Sequence, residues 1–66
     1  MDKPTVWTQI TTGFRGRAIH GSYAVEDGMV KVKTPRGERA TQVEGGPNPI
    51  WVAVRLLREL AAEGKA

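Results

Sequence analysis

Ser22-Tyr23-Ala24-Val25-Glu26-Asp27-Gly28-Met29-Val30-Lys31-Val32-Lys33 is the stretch on which the fold turns. Asp27-Gly28 is a two-residue hairpin signal, because a type I′ turn needs positive φ at both central positions and Asp and Gly tolerate it. A turn there sets Val25 opposite Val30 and Tyr23 opposite Val32, all on one face. The other face receives Glu26 with Met29, Ala24 with Lys31, and Ser22 with Lys33. A slip of one residue would mix valines with lysines, so the hydrophobic pattern itself selects this register.

Working outward, residues 17–26 form the first arm of this hairpin and 29–34 the second. Residues 5–12, Thr5-Val6-Trp7-Thr8-Gln9-Ile10-Thr11-Thr12, are β-branched and aromatic with period-two alternation, which predicts a further strand. With Phe14-Arg15 as its loop between Gly13 and Gly16, Ile10 would oppose Ile19 and Val6 would oppose Tyr23. Pro35-Arg36-Gly37 reads as a turn, with Pro presetting φ and Gly taking the left-handed position. Residues 38–44 read as a weaker fourth strand, and the turn leaves open whether Arg39 or Ala40 joins the core side.

Gly45-Gly46-Pro47 breaks the pattern and joins sheet to helix. Asn48 is suited to the N-cap and Pro49 to the first helical turn. Ile50, Ala53, Val54, Leu57, Leu60 and Ala61 recur at helical spacing, and Gly64 is a natural stop. The expected fold class is therefore α+β: an antiparallel β-meander of three to four strands (5–44) packed on one C-terminal α-helix (48–63), in a single domain spanning 1–66. Its expected core is Val6, Ile10, Ile19, Tyr23, Val25, Val30, Val32, Ile50, Val54, Leu57 and Leu60.

Composition bounds the chemistry. The chain has 66 residues, 39% hydrophobic and 26% charged, which suits one small folded domain of marginal stability. It has no cysteine and a single histidine, His20, so disulfides, thiolate metal sites and cysteine nucleophiles are excluded and a histidine metal cluster is not expected. No apolar run is long enough to cross a bilayer and no secretory leader follows Met1, so the expectation is a cytoplasmic chain, complete from its Met. No carboxylate is placed to orient His20, Ser22 is its only nearby nucleophile, and nothing gathers reactive groups into a pocket. The expectation is a non-enzyme with no cofactor, no small-molecule substrate and no metal.

The net charge is +3, and between Gly13 and Arg39 six basic residues stand against three acidic ones. The valine-free sheet face collects Trp7, Gln9, Thr11, Ala18, His20, Ser22, Ala24, Lys31 and Lys33, with Arg15, Arg17, Arg36 and Arg39 near its edges and turns. Basic side chains supply the counterion-release term of nucleic-acid binding, Gln, Ser, Thr and Arg can read base edges, and Trp7 could stack on an unpaired base. Arg15, Arg17, Lys31, Lys33, Arg36 and Arg39 are thus the candidate phosphate contacts, with Trp7, Gln9 and His20 nearer the bases. The plain alternative is a solvated face whose lysines protect solubility. A second functional reading uses the wide apolar arc of the helix. Trp51, Val52 and Leu56, with Phe14 at its turn, would then contact another protein or a second copy of the chain.

A meander over residues 5–44, the Gly45-Gly46-Pro47 joint and one amphipathic helix ending at Glu63 together resemble, in topology, the small DNA-binding modules of some phage and transposon integrases. They also resemble plant ethylene-response-factor domains. The resemblance implies a three-stranded sheet laid in the major groove and braced by the helix, and a DNA or RNA partner. Residues 35–44, as a fourth strand, depart from that plan. A small SH3-like or Sm-like barrel is the other architecture considered, since Gly21 inside a long strand suits a bend.

Overall fold

The computed structural model describes residues 5–43 and 48–66. Four strands, β1 (Thr8–Phe14), β2 (Arg17–Glu26), β3 (Met29–Thr34) and β4 (Gly37–Gln42), precede one helix, α1 (Pro49–Ala62). The strands form one antiparallel sheet in the order β1-β2-β3-β4. β1 and β4 are both edges, so the sheet is open rather than a barrel, and α1 packs on one face. The joint Gly45-Gly46-Pro47 and the expected end of the fourth strand at Glu44 lie outside the described residues.

The central hairpin has the expected register, with Val25 opposite Val30 and Ala24 opposite Lys31. Asp27 and Gly28 take φ of 51° and 75°, as a type I′ turn requires. The first hairpin differs from expectation. Its loop is Arg15-Gly16, with φ of 51° and 76°, and Ile10 opposes Gly21 while Thr12 opposes Ile19. Gly16 at the second turn position has the same steric logic as Gly28, and that logic outweighs the unusual Arg at the first. The register moves by two residues, so every side chain keeps its face.

The third turn is also tighter than expected. Thr34 opposes Gly37, which places Arg39 opposite Val32 on the helix side and Ala40 opposite Lys31 on the open side. Gly37 does not take the left-handed conformation. It lies in β4, where a Cβ would meet the aliphatic stem of Lys65 at 3.0 Å.

Ile10, Ile19, Val30, Val32, Ala53, Leu56, Leu57 and Leu60 form the buried core. Tyr23, Val52 and Val54 are partly buried. Three expected core residues stand in the open: Val6 at 76%, Val25 at 52% and Ile50 at 41% exposure. For the two valines the reason is length: a 14-residue helix spans about 21 Å against about 33 Å for the ten residues of β2, so α1 leaves the Val6–Val25 corner uncovered. Ile50 is in the first turn of α1 and is not among the residues the helix buries, Ala53, Leu56, Leu57 and Leu60. Conversely Leu56, expected at an interface, is 3% exposed and belongs to the core.

Both helix ends are capped as expected. The Asn48 side chain accepts a hydrogen bond from the Ile50 N–H at 3.1 Å. Gly64 takes φ of 78°, and the Gly64 and Lys65 N–H groups donate to Ala61 and Leu60 carbonyls. Beyond the cap, the Thr34 hydroxyl donates to the Lys65 carbonyl, tying the end of α1 to the β3–β4 turn. No helix among the described residues is long and apolar enough to cross a membrane.

Candidate nucleic-acid interface

Strand alternation delivers Gln9, Thr11, His20, Ser22, Lys31, Lys33, Glu38 and Ala40 to the face opposite α1. Gln9, Thr11, His20, Ser22, Lys33 and Pro35 are among the residues lining a shallow concavity of about 600 Å³. The Thr11 hydroxyl and His20 Nδ1 lie 3.0 Å apart across the β1–β2 pair. Gln9, His20, Lys31 and Lys33 thus share one face, as their alternation predicts.

Trp7 does not stand clear of the sheet. The Lys33 Nζ lies 4.1 Å from the centroid of its ring, so a residue preceding the edge strand β1 reaches across β2 to β3. Ala24, the small open-face residue of β2 on that route, is only 2% exposed. Trp7 shares a hollow with Lys31, Glu38 and Ala40.

The charges of this face nearly cancel. Lys31 donates to Glu26 at 3.0 Å, and Lys33 stands directly opposite Glu38 on β4. Glu26 also accepts from the Thr5 hydroxyl at 2.5 Å. The hydrogen bonds from Thr5 and Lys31, and then the Lys31 charge, hold its carboxyl below the ordinary carboxylate range.

Arg39 lies on the other side of the sheet. Its guanidinium bridges to Glu59 at 3.1 Å and to Glu63 on α1. Hydrogen bonds to Glu59 and then Glu63 hold its pKa above the ordinary arginine value. The candidate role of Arg39 as a phosphate contact is thus separated from the open face: it clamps helix to sheet. Its partners come from residues twenty and more positions away, which no local pattern reveals.

Three arginines without ion-pair partners among the described residues gather at one end. In an up-and-down meander the β1–β2 and β3–β4 turns share an end, and these carry Arg15 and Arg36, with Arg17 opening β2. Among the described residues, ion pairs engage Lys31, Arg39, Arg55 and Lys65 but none engages Arg15, Arg17, Lys33, Arg36 or, on α1, Arg58. Arg17 and Arg36 flank a second shallow groove of about 310 Å³. His20 and Pro35 line both concavities, so the two adjoin. Arg15 holds its guanidinium 5.1 Å from the Phe14 ring centroid.

The second candidate surface is divided. Leu56 is core and Val52 packs against it. Phe14 is partly buried and Trp51, 69% exposed, shares a groove with it, Val54, Arg55 and Arg58. Among the described residues no group of three or more acidic or histidine side chains is placed to hold a metal ion. Compared with protein-family models, curated proteins and solved structures, the chain matches none.

Proposed function

We propose that this chain is a small non-enzymatic binding module for nucleic acid, engaging it through the arginine-bearing end of the sheet and the adjoining polar concavity. The observation that carries this reading is the gathering of Arg15, Arg17 and Arg36 at one end without carboxylate partners among the described residues. Guanidinium groups in that setting favour phosphate, which they meet bidentately. Lys33, His20 and Gln9 border the same path and offer donors to sugar or base edges. The open face is near neutral, so attraction comes from the end of the sheet and the face supplies contact chemistry.

The test is a binding titration with mixed-sequence duplex and single-stranded DNA at two salt concentrations. Binding should weaken with salt. On duplex, the Arg17→Gln/Arg36→Gln pair should flatten the log–log slope by about 0.9 for each phosphate it no longer neutralises. Arg39→Gln should leave affinity and slope unchanged, because that guanidinium is already engaged by Glu59 and Glu63 of α1. No binding at low salt, or binding without salt dependence, overturns the reading.

A further inference from the structure

We infer that β1 is the pairing edge of a symmetric dimer, in which the β1 strands of two copies run antiparallel and join two four-stranded sheets into one of eight. This does not rest on nucleic-acid binding.

The two edges of the sheet differ sharply. Proteins guard exposed edges with charge, proline, bulges or a covering element. β4 carries Glu38 and Arg39. Residues 5–14, which contain all of β1, hold no charged residue and no proline. β1 pairs with β2 without a break from Thr8 to Phe14, so it has no bulge. Thr8, Gln9, Thr11 and Gly13 are exposed along it. An uncharged, regular strand at an open edge presents unpaired backbone donors and acceptors with nothing to repel a second strand.

The occupant that fits is a second copy. Centring a two-fold axis on Thr11, the middle of the seven-residue strand, overlaps its full length. Thr11 then meets the partner's Thr11, Gln9 meets the partner's Gly13, Ile10 meets the partner's Thr12, and Phe14 meets the partner's Thr8. No pair carries like charges, and facing threonines are favourable cross-strand neighbours. Residues two apart keep their faces, so both helices fall on one side and both polar faces on the other.

The helix side of this edge adds apolar surface among charged residues. Phe14, Val54 and the exposed Trp51, with Arg55, Arg58 and Glu59, line the groove between the end of β1 and α1, and in this register each such groove lies at one end of the seam, beside the partner's Thr8. An edge about 24 Å long and two layers deep offers on the order of 500 Å² per copy, close to the smallest specific interfaces. The association should therefore be reversible and micromolar or weaker.

The absence of cysteine makes the test direct. Sedimentation of the full chain without nucleic acid, from micromolar to millimolar concentration, should show a monomer–dimer equilibrium. Thr11→Lys sets like charges across the axis and should give monomer, while Ala40→Lys on β4 should dimerise as the parent does; circular dichroism confirms that both fold. Under mild oxidation Thr11→Cys should form a covalent dimer well ahead of Ala40→Cys, since a disulfide needs Cα atoms within about 7 Å. A parent chain that stays monomeric throughout, a dimer indifferent to Thr11→Lys, or equal cross-linking from the two cysteine variants overturns the proposal.

Discussion

Gly21 of β2 lies directly beneath Leu57 of α1: a Cβ built on Gly21 would sit 2.9 Å from Leu57 Cδ1 and 3.1 Å from the Lys33 carbonyl oxygen. Gly21 is on the helix-facing side of an inner strand, and the missing side chain is what lets a fully buried leucine close onto the sheet. In sequence Gly21 reads as a bend in a long strand. In the fold it is a seat for the helix.

Gly21→Ala should therefore destabilise the domain by about 1–3 kcal/mol, the range for overpacking a filled core. Gly13→Ala, where a Cβ meets nothing within 4 Å, should change stability by less than about 0.5 kcal/mol. Urea unfolding of the two variants beside the parent checks this. Equal midpoints for all three would mean that the helix does not rest on Gly21.

Arg15 is held at φ 51° in a turn position that Asn, Asp or Gly fills more comfortably. A left-handed conformation costs an ordinary residue about 1–2 kcal/mol. Arg15→Asn should relieve part of that cost and raise stability by about 0.5–1 kcal/mol. The same change removes a charge from the arginine end, so it should weaken DNA binding. Thermal unfolding and a low-salt titration on one variant should thus move in opposite directions. A variant that loses stability would show that the Arg15 side chain, over Phe14, stabilises the turn more than its backbone strains it.

Glu26 gives the fold an acid-sensitive contact. Its carboxyl is held below the ordinary range by Thr5 and Lys31, so the folded state favours the ionised form. The resulting stabilisation is complete above the unfolded-state pKa and disappears as pH falls through the depressed folded value. Thr5→Val and Lys31→Met should each raise the Glu26 pKa, read from its side-chain carbonyl carbon shift in an NMR titration. Each should also shrink the loss of stability across the acid range, and neither should alter the shape of the stability curve above neutral pH. Because the pair is exposed, the effect is small and should weaken further with added salt.

Much of the architecture is legible in the chain. Asp27-Gly28 sets the central register, alternation sorts the valines from the lysines, and Asn48, Pro49 and Gly64 mark the helix. These signals are local: each depends on the steric preferences of one or two residues or on a short period, and they survive whatever surrounds them. Even the displacement of the first loop from Phe14-Arg15 to Arg15-Gly16 leaves the faces intact, since a shift of two residues preserves the pleat.

What only the tertiary structure decided is which side chains remain free to act. Lys31 and Arg39 read as equals of Arg17 and Arg36 until Glu26 neutralises the first and the helix carboxylates of Glu59 and Glu63 capture the second. Trp7 reads as an open stacking platform until Lys33 occupies the face of its ring. Leu56 reads as surplus until the docking of α1 turns it into the core. The physical reason is common to all of them. Periodicity assigns a residue to a face, but Coulomb attraction and close packing act over a few ångströms between elements far apart in sequence, and those distances exist only once helix and sheet have met.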